Sequence, residues 1–75
     1  MYDFLVENWS DILDFIKEEY EIGDVSFKTW FIPLSVYSVK NNVITILFDG
    51  EKMGCKYIKK KYSDYFKVAI SEFLD

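Results

Sequence analysis

The most constraining feature of this sequence is a nine-residue stretch, Ser26–Leu34, that contains three aromatic residues and the only proline of the chain. The serine can cap a helix with its side-chain oxygen, and Pro33 disfavours helical geometry at the residue before it. The stretch therefore predicts a helix of about two turns. A helix this short is not stable alone, so Phe27, Trp30 and Phe31 are expected to hold it in place by packing. Trp30 is expected to be buried against Phe27 and the last helix.

The chain has 75 residues, which predicts one domain over residues 1–75. With 51% hydrophobic and 20% aromatic residues, the composition is that of an ordered fold that compensates for its small size with large side chains. Cys55 is the single cysteine and there is no histidine, so neither an internal disulfide nor a metal or cofactor site is expected. A reduced, cytoplasmic setting follows as an expectation, since the acidic N-terminus is unlike a signal peptide and no apolar run could span a membrane.

The net charge of −4 is unevenly distributed along the chain. Residues 1–25 carry eight acids and one lysine, whereas residues 26–75 carry eight lysines and five acids. The overall acidic balance argues against strong nonspecific DNA binding, which requires several phosphates to be neutralised at once. A local basic surface in the second part of the chain remains possible.

Residues 5–20 have the apolar spacing of an amphipathic helix. Phe4 and Phe15 lie together on the flank of the apolar stripe, and the opposite face is acidic and expected to be solvated. The helix is expected to end at Gly23, the residue type best suited to a left-handed C-cap. The predicted stripe consists of Leu5, Trp9, Ile12, Leu13, Ile16 and Tyr20.

After Pro33 the apolar spacing changes to the alternation of a β-strand. Asn41 and Asn42 separate this strand from a second, β-branched run at Val43–Phe48, and asparagine tolerates the positive φ angles of a type I′ turn. The region therefore predicts a β-hairpin. Because the second strand is almost entirely apolar, either both of its faces are covered or it has room for a partner strand.

A long last helix is predicted from about Glu51 to Leu74, opened by Asp49 and Gly50. Its apolar stripe consists of Cys55, Ile58, Tyr62, Tyr65, Phe66, Ala69 and Phe73. A flank of the same helix carries a lysine ridge formed by Lys52, Lys56, Lys59, Lys60 and Lys67. Met53, Tyr57 and Val68 lie opposite the stripe and are expected to be exposed, which favours a binding partner. The alternative is a kink near Tyr62 that returns them to the core.

The sequence contains no combination of residues that would support catalysis. It lacks histidine and arginine, a phosphate-binding loop and a cysteine beside a base, and the spacing Gly50-x-x-x-Gly54 does not continue into the Lys-Ser/Thr of a phosphate loop. We therefore expect a binding module and not an enzyme.

The order of the motifs resembles the N-terminal domain of bacterial replication initiators of the DnaA family, from about Trp9 to Leu74. The resemblance is carried by Trp9 in the first helix, by Lys61-Tyr62 in the last, and by the string Ser26-Phe27-x-x-Trp30-Phe31-x-Pro33-Leu34 between them. It implies an α+β, K-homology-like fold with two N-terminal helices, a β-hairpin and a long C-terminal helix. Two features differ from the family pattern: Asp49-Gly50 replaces a Pro-Asn pair, and the third strand is absent, which leaves a sheet edge unpaired.

The resemblance implies a bacterial protein-interaction module of DNA replication initiation. Such a domain self-associates and binds the replicative helicase, its loader or initiation regulators. Alignment on Lys61-Tyr62 carries the family's partner-contacting aromatic position onto Met53, which helical geometry also places opposite the core. The residues expected to bind a partner protein are Ser26, Glu51, Met53, Gly54 and Tyr57.

Self-association is expected at Phe4, Trp9 and Phe15, because Trp9 matches the tryptophan of the family's self-association surface. Burial of Trp9 in its own core is the alternative. A second function, weak binding of single-stranded nucleic acid, would use the lysine ridge at Lys52, Lys56, Lys59 and Lys60 with tyrosines as stacking platforms. The nucleic-acid clamp of K-homology domains, GxxG, is missing.

Overall fold

Four helices and one β-hairpin form the fold, which the computed structural model describes for residues 1–74. The helices are α1 (Tyr2–Glu7), α2 (Trp9–Glu19), α3 (Asp24–Ser26) and α4 (Lys52–Leu74), and α3 continues into a π-helical turn at Phe27–Phe31. The strands are β1 (Leu34–Lys40) and β2 (Val43–Phe48). This is the predicted α+β architecture. No helix among residues 1–74 is long and apolar enough to cross a membrane.

The predicted first helix is two helices, because the chain bends at Asn8. The backbone of Asn8 has φ −102° and ψ 7°, outside the helical region, and its side-chain Nδ2 donates to the carbonyl of Phe4 at 2.8 Å. Asparagine competes for backbone partners in this way, which lowers its preference for helix interiors. The apolar stripe nevertheless continues across the bend, since Leu5, Ile12 and Ile16 are all fully buried.

Gly23 is not the left-handed cap of α2, and that prediction was wrong. Glu21 occupies the left-handed position with φ 52°, whereas Gly23 has φ −67°. The amide of Ile22 donates to the carbonyl of Lys17 at 2.9 Å, and the amide of Glu21 reaches the carbonyl of Glu18 at 3.4 Å. These two bonds define a Schellman motif. The left-handed residue of this motif, Glu21, lies two positions before Gly23. Ile22, which follows it, packs half-buried against the core.

The aromatic stretch forms the predicted two turns, but they begin at Asp24 and not at Ser26. Gly23 is the N-cap, and Ser26 lies inside the helix with φ −62° and ψ −39°. Ile32 keeps helical angles although Pro33 follows, and its amide donates to the carbonyl of Phe27 at 3.1 Å. This five-residue hydrogen bond widens the last turn into the π form. Ile32 therefore does not avoid helical geometry as expected, although the helix ends before Pro33 as predicted.

The hairpin has the predicted strands and turn. Asn41 and Asn42 have φ 51° and 65°, as a type I′ turn requires, and β1 and β2 pair antiparallel from Lys40–Val43 to Leu34–Phe48. The register is interrupted by a bulge at Tyr37. Among the described residues β2 pairs only with β1, so the sheet has the unpaired edge that the sequence indicated.

A single hydrophobic cluster lies between the helices and the inner face of the hairpin. Phe31 is fully buried at its centre and contacts Tyr62 and Phe66 of α4, with ring centroids 4.7 and 5.8 Å away. The predicted stripe of α4 needs two corrections. Cys55 is exposed, because it lies beside an open cleft between β2 and α4, and Ile70, which the stripe omitted, is buried.

Candidate protein-docking groove

The end of β2 and the start of α4 meet around the ring of Phe48. A Cβ atom at Gly54 would lie 2.9 Å from this ring, and one at Gly50 would overlap it. The two glycines are therefore needed because they leave space for the ring, and neither has a positive φ. Their spacing, which has no role in phosphate binding, allows the strand to pack closely against the helix.

Trp30 forms the second wall of the same region. Its ring lies 4.8 Å from that of Tyr57 and 6.2 Å from that of Phe48, measured between centroids. The π-helical turn directs the neighbouring Phe31 into the core and leaves Trp30 at the surface, half-buried. The expected packing of Trp30 against the last helix is confirmed through Tyr57. Its expected burial was wrong, because Trp30 is only half-buried at the open groove, while Phe27 stacks on Phe31 at 5.7 Å.

These side chains surround an open depression of about 430 Å³, which we call the docking groove. Met53 stands at its rim with 81% of its surface exposed. Lys61 Nζ donates to the Tyr57 hydroxyl at 3.0 Å and lies 5.4 Å from the centre of its ring, which fixes the orientation of the tyrosine. The same hydrogen bond is the main reason why the pKa of Lys61 is raised above its ordinary value. The groove is lined by Trp30, Phe48, Glu51, Met53, Gly54 and Tyr57.

The structure brings together four of the five residues predicted to bind a partner. Glu51, Met53, Gly54 and Tyr57 line the groove, whereas Ser26 does not. Gly54 also has a structural role, because its missing side chain leaves room for Phe48 and Trp30. Sequence reasoning missed Trp30 and Phe48 as groove residues. The signal that could have indicated Phe48 is an aromatic strand end followed by two glycines four residues apart.

The exposure predicted for the face of α4 opposite its stripe is confirmed. Tyr57 is 41% exposed and Val68 47% exposed. The alternative, a kink near Tyr62 that returns these residues to the core, is wrong, because α4 continues from Lys52 to Leu74 and Met53, Tyr57 and Val68 all remain exposed. The described residues contain no group of three side chains placed to hold a metal ion. A partner that binds in the groove would meet an apolar surface, the carboxylate of Glu51 and the hydroxyl of Tyr57, which Lys61 orients.

Comparison with known proteins identifies the family of this chain. The sequence model of the DnaA N-terminal domain matches residues 6–72. The chain belongs to the DnaA N-terminal domain family. It is also 45% identical, over 78 aligned positions that cover the whole chain, to the chromosomal replication initiator protein DnaA of Lachnoclostridium phytofermentans. The chain spans 17% of that relative's length. No solved structure matches the chain significantly.

In this DnaA N-terminal domain, the residues predicted for self-association do not share one exposed surface. Trp9 is half-buried, stacks on Phe66 at 5.7 Å with an interplanar angle of 14°, and donates from Nε1 to the carbonyl of Leu34 at 3.0 Å. Phe15 is half-buried against Phe73 of α4. Of the three residues only Phe4 is exposed, at 38%. Trp9 thus packs against the core without being fully buried, and self-association stays a prediction.

The lysine ridge follows α4 of the DnaA N-terminal domain beside the docking groove. Lys52, Lys56, Lys59 and Lys60 are exposed, and none of them forms an ion pair within residues 1–74. Lys67 lies farther along the helix, 3.8 Å from the Asp64 carboxylate. The ridge presents cations, but the aromatic groups beside it are already engaged, since Tyr57 contacts Trp30 and Tyr62 is buried.

Proposed function

We propose that this domain is a protein-docking module of bacterial DNA replication initiation, which binds the replicative helicase, its loader or an initiation regulator through the docking groove. The proposal includes a cytoplasmic location and no catalytic role. The observation that carries it is Met53, an apolar side chain that is 81% exposed at the rim of an aromatic groove. Burying a flexible thioether and the neighbouring rings against a partner is favourable, and central apolar contacts of this kind dominate binding energies.

The family supports the biological setting of this proposal. The chain belongs to the DnaA N-terminal domain family, and its relative from Lachnoclostridium phytofermentans is a chromosomal replication initiator. The groove supports the molecular role, because a half-exposed Trp30 and Tyr57 side by side are the residue types enriched at binding hot spots.

The experiment is a calorimetric titration of the domain with the replicative helicase of the same organism. Met53→Glu places a charge on the rim, where a partner would have to desolvate it, so we expect the affinity to fall at least about tenfold, or about 1.4 kcal/mol. The melting temperature should stay within about 2 °C, because Met53 is exposed and a carboxylate is favourable in the first turns of a helix.

Val68→Glu is the matched control, since Val68 is an exposed apolar residue on the same helix, 15 positions or about 22 Å from Met53. It should leave the affinity unchanged. Equal effects of the two variants, or none from Met53→Glu, would refute the groove. Tyr57→Ala is less informative than a change at Met53, because the ring of Tyr57 packs on Trp30 and its loss would lower stability.

The second candidate function, binding of single-stranded nucleic acid, is favoured by the unpaired lysines of the ridge. Charge reversal at Lys56 and Lys60 should then weaken binding of an oligothymidine, and that binding should fall steeply as salt is raised. Apolar docking of the helicase should change little over the same salt range.

A further inference from the structure

The hydroxyl group of Tyr57 keeps an unused hydrogen-bond donor at the docking groove. Lys61 Nζ lies 3.0 Å from this hydroxyl, and a protonated lysine can only donate. The oxygen of Tyr57 is therefore the acceptor, and its own O–H group forms no hydrogen bond within residues 1–74. Because hydrogen bonds in a chain polarise one another, the bond from the ammonium makes this O–H group a stronger donor.

The ammonium group of Lys61 stands beside this donor without a carboxylate partner. Lys61 forms no ion pair within residues 1–74, and its Nζ lies 5.4 and 5.5 Å from the ring centres of Tyr57 and Tyr62. Contacts with two rings and one hydroxyl restrict the lysine side chain, which lowers the entropy that it would lose on binding a ligand. A restrained cation next to an oriented O–H donor favours an anionic acceptor.

The other aromatic wall of the groove also keeps an unused donor. Trp30 is half-buried, and its indole nitrogen forms no hydrogen bond within residues 1–74, whereas that of Trp9 donates to the carbonyl of Leu34. The nitrogen of Trp30 is not among buried atoms that lack a partner, so it is open to solvent. An indole N–H group usually finds an acceptor when it becomes covered. A protein that covers the groove therefore has reason to bring acceptors with it.

The charges at the groove differ between its two ends. Glu51, which lines the groove, precedes α4, and Lys61 follows ten positions later, about 15 Å along the helix axis. The two side chains form no ion pair with each other. A carboxylate brought by a partner is repelled near Glu51 and attracted near Lys61, so the end of the groove at Tyr57 is the favourable place for it.

We infer that the docking groove recognises an acidic side chain of its partner protein, an aspartate or glutamate beside apolar residues, through the Tyr57 hydroxyl and the Lys61 ammonium. The inference rests on the proposed function, since it concerns the protein that occupies the groove. An oxygen that accepts from the Tyr57 hydroxyl lies within about 4–5 Å of Lys61 Nζ, so one carboxylate can bind both groups. The apolar neighbours of this carboxylate pack on Trp30 and Met53.

Such a contact would give the groove specificity. A hydrogen bond with an ionised acceptor is about twice as strong as one between neutral groups. A partner that fills the groove with apolar side chains but lacks the carboxylate would leave the Tyr57 donor covered and unpaired. The groove would therefore discriminate between apolar segments of similar shape by the presence of one acidic residue.

A phosphate of a nucleic acid fits the groove less well than a protein carboxylate. A single strand carries a negative charge at every nucleotide, and Glu51 lies in the same groove. Its bases would also need open ring faces, whereas Trp30 and Tyr57 pack on each other at 4.8 Å. A protein segment with one carboxylate leaves its remaining contacts apolar, as the lining of the groove requires.

The chemistry can be tested without the partner, using 4-phenylbutyrate and its uncharged analogue 4-phenylbutanamide. Each compound is titrated into the nitrogen-15-labelled domain and followed by the backbone amide and indole signals. We expect the acid to shift the Trp30 indole and the amides of the groove, and to bind at least about threefold more tightly than the amide. The Trp9 indole is an internal control that should not move, because its N–H is bonded to Leu34.

Matched variants locate the carboxylate. Tyr57→Phe keeps the ring against Trp30 and removes the donor, and Lys61→Met keeps the aliphatic stem and removes the charge. In each of them the acid should lose its advantage over the amide, while binding of the amide stays unchanged. Lys60→Met is the control, because Lys60 is exposed and forms no hydrogen bond or ion pair within residues 1–74. It should keep the preference, and so should Lys61→Arg, which retains a positive donor.

The same variants are titrated with the replicative helicase beside Met53→Glu. We expect Lys61→Met to lower the affinity at least about fivefold and Lys60→Met less than about twofold. A loss in Met53→Glu with none in Lys61→Met would refute the carboxylate contact and leave the groove as the docking site. No loss in Met53→Glu would refute the proposed function, and the titration with the two small compounds would still decide whether the groove selects a carboxylate.

Three further results would overturn the inference. Equal binding of the acid and the amide, or equal loss of the preference in Lys60→Met and Lys61→Met, would exclude a specific carboxylate contact. Shifts that leave the Trp30 indole unmoved would place the acid outside the groove. An oligothymidine that displaces the acid, and that binds more weakly to Lys61→Met but not to Lys60→Met, would assign the donors to nucleic acid.

Discussion

Gly54 is the residue that determines whether the docking groove can exist. Alanine at an interior helix position is normally more favourable than glycine by about 1 kcal/mol, so packing must explain a glycine in the first turns of α4. The explanation is the ring of Phe48, 2.9 Å from where a Cβ would lie, and Trp30 at 3.1 Å. Aromatic rings fixed by their neighbours cannot move aside as a flexible side chain can.

We therefore predict that Gly54→Ala destabilises the domain by about 1–2 kcal/mol despite its better helix propensity, because overpacking outweighs it. Urea unfolding followed by circular dichroism measures the effect. Gly23→Ala is the control, since nothing lies within 4 Å of a Cβ at Gly23 and its φ is −67°. That variant should stay within about 0.5 kcal/mol of the wild type, because the lower entropy of its unfolded chain offsets the poorer capping by alanine. A Gly54→Ala protein as stable as the wild type would contradict the packing of Phe48 described above.

At the residue scale, the sequence predicted the part of the site that depends on helical spacing alone. Met53 and Tyr57 lie one turn apart on a regular helix, so their common exposed face could be predicted before the fold was known, and Glu51 and Gly54 are their neighbours in the sequence. Trp30 and Phe48 reach the groove from a π-helical turn and a strand end. Their positions depend on how the chain returns to α4, which no local spacing encodes.

At the scale of elements, an ion pair joins the end of α2 to the start of α3. Lys17 Nζ lies 2.7 Å from Asp24 Oδ1 and also stands 5.2 Å from the centre of the Phe27 ring. The hydrogen bond from Lys17 is the main cause of a lowered pKa at Asp24 and of a raised pKa at Lys17. The pair holds the aromatic stretch against α2, although solvent screens it because the Asp24 side chain is 80% exposed.

The direction of these shifts sets the pH range over which the pair acts. The lowered pKa of Asp24 gives a stabilising contribution that is present above the ordinary value of 3.8 and is lost as pH falls through the lowered value. The contribution of Lys17 is present below 10.5 and is lost as pH rises through its raised pKa. The pair should therefore act at full strength between about pH 5 and pH 9.

We predict that Lys17→Met raises the pKa of the Asp24 carboxyl toward 3.8, as measured by carbon-detected NMR titration. Lys28→Met is the matched control, because Lys28 lowers the same pKa only as a weaker, more distant charge. It should produce a smaller rise. Equal rises in the two variants would mean that the carboxylate is not hydrogen-bonded to Lys17 in solution.

The helices and the hairpin could be predicted because their apolar spacing and turn residues agree. Their boundaries could not, since two local hydrogen-bonding choices decided them. The Asn8 side chain bonds back to Phe4, and the Schellman motif places Glu21 in the left-handed position although Gly23 is nearby. These local bonds are compatible with the core, since Leu5 is fully buried and Ile22 packs half-buried against it, and the apolar spacing alone does not distinguish them from a continuous helix.

At the scale of the whole molecule, the apolar surface of α1 is the feature not explained by the fold. Tyr2, Phe4 and Val6 are 44%, 38% and 48% exposed, whereas Leu5 between them is fully buried. Trp9 is half-buried, and its ring is engaged by Phe66 and by the carbonyl of Leu34. If the domain self-associates, we therefore expect the contact surface to be the outer face of α1. Trp9 contributes to the packing of the domain and not to that surface.

This geometry separates two variants that the sequence alone would treat as equivalent. Phe4→Glu adds a charge to the exposed face of α1 and should weaken self-association at least about tenfold in sedimentation equilibrium, without a large change in melting temperature. Trp9→Phe keeps an aromatic ring on Phe66 but loses the bond from Nε1 to Leu34 and part of the packed indole, at a cost of about 1–3 kcal/mol in stability. It should leave self-association nearly intact.

Tyr37→Glu, at a residue 63% exposed on the hairpin, controls for the added charge and should have no effect. A wild type that stays monomeric at high micromolar concentration would exclude self-association, and loss of the dimer in Trp9→Phe but not in Phe4→Glu would move the contact from α1 to the tryptophan.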